Sequence, residues 1–246
     1  MLRLSITAAL CVIAVPVAGF ASTCSPFAVQ QIAVAAGPGL EPIQVACTRP
    51  TSSPQGEVVV FVVQPEAAPS VVHALILDTA TKHVEAAYVG GDLAFDGQEL
   101  RRLRLFRVGN WLERNTTAVG ILASYGLNSW DDTTSLTVLV REGAHLRPVL
   151  TDLVTSYAFN SIGHLNCNGG FSVELQSTVR TSPNPRRQFP DLLVTSRRSA
   201  AVGTRNPHPG GECIVGRSRD RTFVHRLPYA DGHYEIPQSF KDLMQE

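Results

Sequence analysis

Apolar residues along the chain come in short runs or in alternation with polar ones, and almost never at helical spacing. Runs of four to eight residues rich in Val, Ile, Leu, Thr and Phe, bounded by turn residues, predict strands. The pattern places them at 57–63 (EVVVFVV), 71–77 (VVHALIL), 82–88, 102–107 (RLRLFR), 117–123 (TAVGILA), 135–140 (SLTVLV) and 146–154. Four more fall at 171–178, 191–196, 221–227 and 233–236. Turn signals separate them, among them Gly37-Pro38-Gly39, Gly90-Gly91, Asn168-Gly169-Gly170 and the stretch from Asn206 to Gly211. Only residues 26–36 and 238–246 have helical character. Strands this closely spaced, with no long helix between them, predict an antiparallel all-β fold: a β-sandwich or a small or incomplete β-propeller.

The propeller alternative rests on an internal spacing. Asp96-Gly97, Glu142-Gly143 and Asp231-Gly232 each precede a strand, and such pairs supply the positive φ of a tight hairpin. The first two lie roughly 45 residues apart and the third roughly twice that further on, close to the length of a propeller blade. Acidic-Gly hairpins also recur in β proteins of other kinds, and no such pair lies near 186, where a fourth member would fall.

The first residues break the β pattern. Met1-Leu2-Arg3 is a short positive start, 4–20 are nearly all apolar, and Gly19 and Ala21 are small residues before a cleavage point. Residues 1–21 therefore read as a secretory signal peptide, and 22–246 as a single all-β domain with an Arg-rich portion at 180–226. Nothing later reaches the length of a transmembrane segment, and neither Cys11 nor Cys24 follows a lipobox. The expected location is the periplasm or the extracellular medium. With 44% hydrophobic and 17% charged residues, the chain can bury a core.

Export changes how the cysteines read. Cys24, Cys47, Cys167 and Cys213 are an even set in an oxidising compartment, and nearest-neighbour pairing gives Cys24–Cys47 and Cys167–Cys213. His164 and His208 stand close before the later two, so a tetrahedral Cys₂His₂ zinc site is the competing reading of that pair. Oxidation to a disulfide is favoured, and no metal or cofactor is expected.

Net charge is zero, yet 180–226 carries ten arginines against Asp191, Glu212 and Asp220. A protein or envelope partner of negative charge would meet Arg186, Arg187, Arg197, Arg198, Arg217, Arg219 and Arg221. Nucleic acid is not expected, because export removes the chain from it and Phe189 and Phe223 are the only aromatics of this stretch. The plainer reading is solvated arginine on loops, in a chain with 19 Arg and two Lys.

No catalytic residue stands out. Ser124 sits in Leu122-Ala123-Ser124-Tyr125-Gly126, without the first glycine of a nucleophile elbow, and His145, His225 and His233 each lie on or beside a strand. Asp131-Asp132 after Trp130 is the one adjacent carboxylate pair that could serve glycoside cleavage, within a polar stretch that reads as a loop. Asp92 and Asp96 match no complete calcium loop.

The stretches TTAVGILASYG (116–126), SLTVLVREGAHLRPVLTDLV (135–154), FPDLLVTSRRS (189–199) and LPYADGHYEIP (227–237) resemble a group of exported β-rich proteins of Gram-negative bacteria, over about residues 70–237. The shared features are strands and turns. The resemblance implies a periplasmic all-β product and carries over no site residue. The expected function is that of a non-enzymatic periplasmic binding or interaction protein, a class that includes immunity and inhibitor proteins. An envelope polysaccharide hydrolase using Asp131 or Asp132, or a purely structural envelope protein, are the alternatives.

Overall fold

A computed structural model describes residues 24–49, 55–64, 70–90, 99–106, 108, 117–126, 131–160, 170–182, 189–204, 214–217 and 220–244. The expected signal peptide, 1–21, lies outside them. The short apolar runs become strands: β1 (Pro42–Thr48), β2 (Gly56–Val63), β3 (Val71–Asp78), β4 (His83–Gly90), β5 (Glu99–Phe106), β6 (Ala118–Gly126) and β7 (Asp131–Glu142). They continue with β8 (His145–Asn160), β9 (Phe171–Thr181), β10 (Leu192–Thr204), β11 (Ile214–Arg217) and β12 (Arg221–Leu227). A small hairpin of β13 (Tyr229–Ala230) and β14 (His233–Tyr234) follows. The helices are α1 (Pro26–Ala36) and α2 (Gln238–Lys241), the latter passing into a 3₁₀ turn at Asp242–Met244.

Among the described residues, β1 to β12 form one sheet. Its main path runs β1-β2-β3-β4-β8-β7-β6-β5, and β9, then β10, then β11 and β12 continue from β8. Pairing is antiparallel throughout except for a single parallel bridge between β4 and β8, from Ala87 to His145. The sheet curls until its ends approach: Gln44 Nε2 on β1 donates to the Arg101 carbonyl on β5 at 3.4 Å. Among the described residues no ladder joins those two strands, so the barrel is not closed. The far end of β8 hands over to β9 through Ser156–Gln176 and its neighbours, and the continuation folds back over the first layer. The outcome is sandwich-like, and the described strands do not divide into propeller blades. The Glu142-Gly143 and Asp231-Gly232 pairs do close hairpins, with φ 64° at Gly143 and 49° and 88° at Asp231 and Gly232. Asp92 and Asp96 lie outside the described residues.

Burial on both faces explains the uninterrupted apolar run of β2. Val58, Val60 and Val62 point into the curled sheet with Val72, Ala74, Ile76, Leu103 and Ile121. Val59, Phe61 and Val63 point outward beneath α1, against Ala28, Ile32 and Ala36. A second core joins the outer face of β7 (Leu136, Val138, Val140) to Leu150, Leu153, Leu175, Val194, Leu227 and the C-terminal Phe240 and Leu243.

Helix α1 is short and is held at its start. Ser25 Oγ accepts from the Ala28 N–H at 3.1 Å, and Pro26 suits the first turn, where no N–H partner exists. The Ser25 N–H donates to Glu57 Oε1 at 2.9 Å and its hydroxyl donates to Oε2, which satisfies a fully buried carboxylate. The Cys24–Cys47 disulfide ties the same point to β1, with Cα atoms 5.3 Å apart.

Candidate functional site

The sequence ELRRLRLF makes β5 an amphipathic strand. Leu100, Leu103 and Leu105 pack inward, which turns the arginines out. The β5–β6 register shifts between Leu100 and Arg102, and such a bulge re-aims consecutive side chains, so that Arg101 and Arg102 both reach the same surface as Arg104. The same face of β6 presents Leu122 and Ser124, that of β7 presents Asp132 and Thr134, and that of β8 presents Thr155 and Ser156. A second register shift, at Thr134/Ser135 against β8, likewise brings both Thr155 and Ser156 to this side. Together these residues line an open groove of about 540 Å³.

Its floor is tied down, as is Arg101 on its cationic bank, whereas Arg102 and Arg104 are not. Ser124 Oγ and Thr134 Oγ1 share a hydrogen bond of 2.8 Å, and the Thr155 hydroxyl donates to the Thr134 carbonyl at 3.1 Å. Arg101 Nη1 donates to the Asp131 carbonyl at 3.1 Å. Gly126 permits this approach: a Cβ there would stand 2.8 Å from the Arg101 guanidinium carbon and collide with the Asp131 carbonyl. Arg102 and Arg104 are exposed and, among the described residues, make no ion pair or hydrogen bond. Among the described residues, three guanidinium groups against the single carboxylate of Asp132 give the groove a net positive charge. Arginine forks of this kind match carboxylate, phosphate or sulfate oxygens.

Below the groove, the opposite face of the same strands carries Tyr125, Ser135 and Thr137, all buried. Burial raises the pKa of the Tyr125 phenol, the Ser135 hydroxyl opposes the shift, and the Asp152 charge adds to it. Tyr125 is therefore a neutral phenol over the whole physiological range.

The arginines singled out from the sequence have a different setting. Arg197 pairs with Asp220, with Nε–Oδ2 at 3.0 Å. Arg198 Nε donates to the Leu243 carbonyl at 2.8 Å, fastening the C-terminal turn. Arg226 Nε donates to Oδ2 of the buried Asp191 at 2.6 Å, and the Tyr229 N–H donates to Oδ1 at 3.3 Å. Arg221 is exposed and stands opposite Arg198 in the β10–β12 register. Arg217 lies on β11 opposite Ala201. Arg186, Arg187 and Arg219 fall outside the described residues, as do Cys167, Cys213, His164, His208 and Trp130.

Of the carboxylate pair, Asp131 is buried at the start of β7 and Asp132 enters the groove, so the two are separated by the strand pleat. Ser124 lies in the groove, and no histidine is among its described lining residues. His145 and His233 are exposed, and His225 packs edge-on against Phe240 with centroids 5.5 Å apart. Among the described residues no three His, Cys, Asp or Glu side chains converge as metal ligands. The groove's own signal in the sequence is the repeat of arginine on the polar positions of 99–106, which marks a strand but does not say what faces it.

Fold and groove together define an all-β, sandwich-like protein with a cationic groove on one face of its curled sheet. No family model, no curated protein and no solved structure matches the chain.

Proposed function

We propose that this is a non-enzymatic binding protein of the bacterial envelope, exported to the periplasm or beyond, which holds an anionic partner in the β5 groove. The observation that carries the reading is the exposed pair Arg102 and Arg104, unpartnered among the described residues, beside Arg101 and above a floor of fixed hydroxyls. Guanidinium groups with no internal acid keep their full capacity for an external one. The Cys24–Cys47 disulfide supports an oxidising location, and no helix among the described residues is long and apolar enough to cross a membrane. Glycoside cleavage by the Asp131-Asp132 pair would need both carboxylates at the scissile bond, whereas Asp131 is buried and Asp132 alone of the two enters the groove, which speaks against hydrolysis by that pair.

The test is calorimetric titration of the mature protein with inorganic polyphosphate and, separately, with oligogalacturonate, each at two salt concentrations, binding of either counting as binding. Binding that weakens with salt and is lost in Arg102→Ala/Arg104→Ala, but survives in Arg197→Ala, supports the assignment. Equal loss in Arg197→Ala, or no binding by the wild type, defeats it.

A further inference from the structure

We propose that the ligand of this groove is an acidic glycan, a sugar chain bearing carboxylate, sulfate or phosphate groups; this rests on the reading of the groove as an anion site. Across β6 from the arginines lie side chains of β7 and β8. Asp132 is exposed there beside Thr134, Thr155 and Ser156. A carboxylate would repel a ligand of uniformly negative surface, and it becomes favourable only where the ligand presents hydrogen-bond donors. The groove thus asks for anionic groups on one side and donors on the other.

Sugar hydroxyls are such donors, and they also accept from Ser and Thr hydroxyls. Arg102 and Arg104 are two positions apart on one strand, about 6.6 Å, so that a chain with repeated anionic groups can engage both. Leu122, the one apolar residue of the described lining, offers a surface for the C–H face of a ring. The volume of about 540 Å³ lies within the range of small-ligand pockets, about 300–1,000 Å³. Being open, it can pass a chain rather than enclose a single unit.

The experiment titrates the mature protein with oligogalacturonate, with polyglutamate matched in charge, and with neutral dextran. Oligogalacturonate should bind at least tenfold tighter than polyglutamate, with no heat from dextran. Arg102→Ala/Arg104→Ala should abolish that binding. Asp132→Asn should weaken oligogalacturonate several-fold while strengthening polyglutamate, because it removes both an acceptor and a repulsive charge. These side chains are exposed, so melting curves of the variants should overlay the wild type. Equal affinity for polyglutamate and oligogalacturonate, or an Asp132→Asn variant that gains for both, overturns the glycan assignment and leaves the anion site standing. Failure of every anion to bind, or binding indifferent to Arg102 and Arg104, removes both.

Discussion

Two groups of arginines lie on this sheet, and they are used in opposite ways. Three of the four on β10 and β12 are engaged within the molecule, Arg197 by Asp220, Arg198 by the Leu243 carbonyl and Arg226 by Asp191, while Arg221 is exposed. Those of β5 include two that touch no acid among the described residues and face an open groove. Density of positive charge is greater in the first region, yet availability is greater in the second. A cation already paired has offset its charge and lost its rotamer freedom, so it offers a partner little.

The largest effect expected from breaking this contrast lies in the paired group. Asp191 is 8% exposed and accepts from both Arg226 and the Tyr229 N–H. Asp191→Ala removes the acceptor of the Tyr229 N–H while the largely exposed Arg226 turns to water, and should cost about 1–3 kcal/mol. At about 2–4 °C per kcal/mol for a chain of this size, the fall in Tm is easily read by calorimetry. An unchanged Tm would mean that the pair contributes nothing to folding. Removing the disulfide with Cys24→Ser/Cys47→Ser, which opens a loop of sequence separation 23, should cost about 3 kcal/mol in chemical denaturation and leave the groove's affinity unaltered.

Next in size is the unpaired group. Arg102→Ala/Arg104→Ala should lower anion affinity at least tenfold, about 1.4 kcal/mol, without moving Tm. Gly126→Ala sharpens the point from the other side, since its Cβ collides with the Asp131 carbonyl and displaces Arg101. It should reduce both affinity and stability, seen as a lower Tm together with weaker titration heats. Arg197→Ala, which breaks an exposed pair, should shift stability by less than about 1 kcal/mol and leave affinity intact.

The smallest effect separates the fold from the groove by pH. His73 stacks on Phe61 beneath α1, and burial lowers its pKa below the ordinary value of 6.5. The unfolded chain then binds the proton more readily than the folded one, so stability falls as pH drops through 6.5 and levels off below the folded value. His73→Phe should flatten that part of the Tm–pH profile. Arginine keeps its charge throughout, so anion binding by the folded protein should not follow the same curve.

Strands with a clean alternation are legible in the sequence because the pleat sends successive side chains to opposite faces, one of them buried. Helix α1 is legible too, through Ser25, Pro26 and the small apolar residues that follow. By contrast, β1 escapes such a reading, since Pro42–Thr48 is half-buried and mixes Gln, Cys and Thr without a run. The four residues of β11 are too short to register. The start of β7, Asp-Asp-Thr-Thr, reads as a loop by composition but pairs with β6 through Ser124–Thr134 and Tyr125–Thr133. The helical tail is also legible: its described residues form α2 and one 3₁₀ turn, anchored by Phe240 and Leu243 in the second core. Cys24–Cys47 is readable from parity and proximity alone.

Local chemistry along the chain is enough to determine that it is β-rich, which residues of most strands turn inward, and where its hairpins close. Those properties depend on neighbours a few positions apart. Which strands lie side by side, and therefore which arginines find an acid, depends on pairing across dozens of residues. Asp191 meets Arg226 only because β12 lies against β10, and Arg102 faces Asp132 and Thr155 only because β5, β6, β7 and β8 are consecutive in the sheet. Charge can be counted in a sequence, but whether it is neutralised or available is decided by tertiary structure, because neutralisation acts through space.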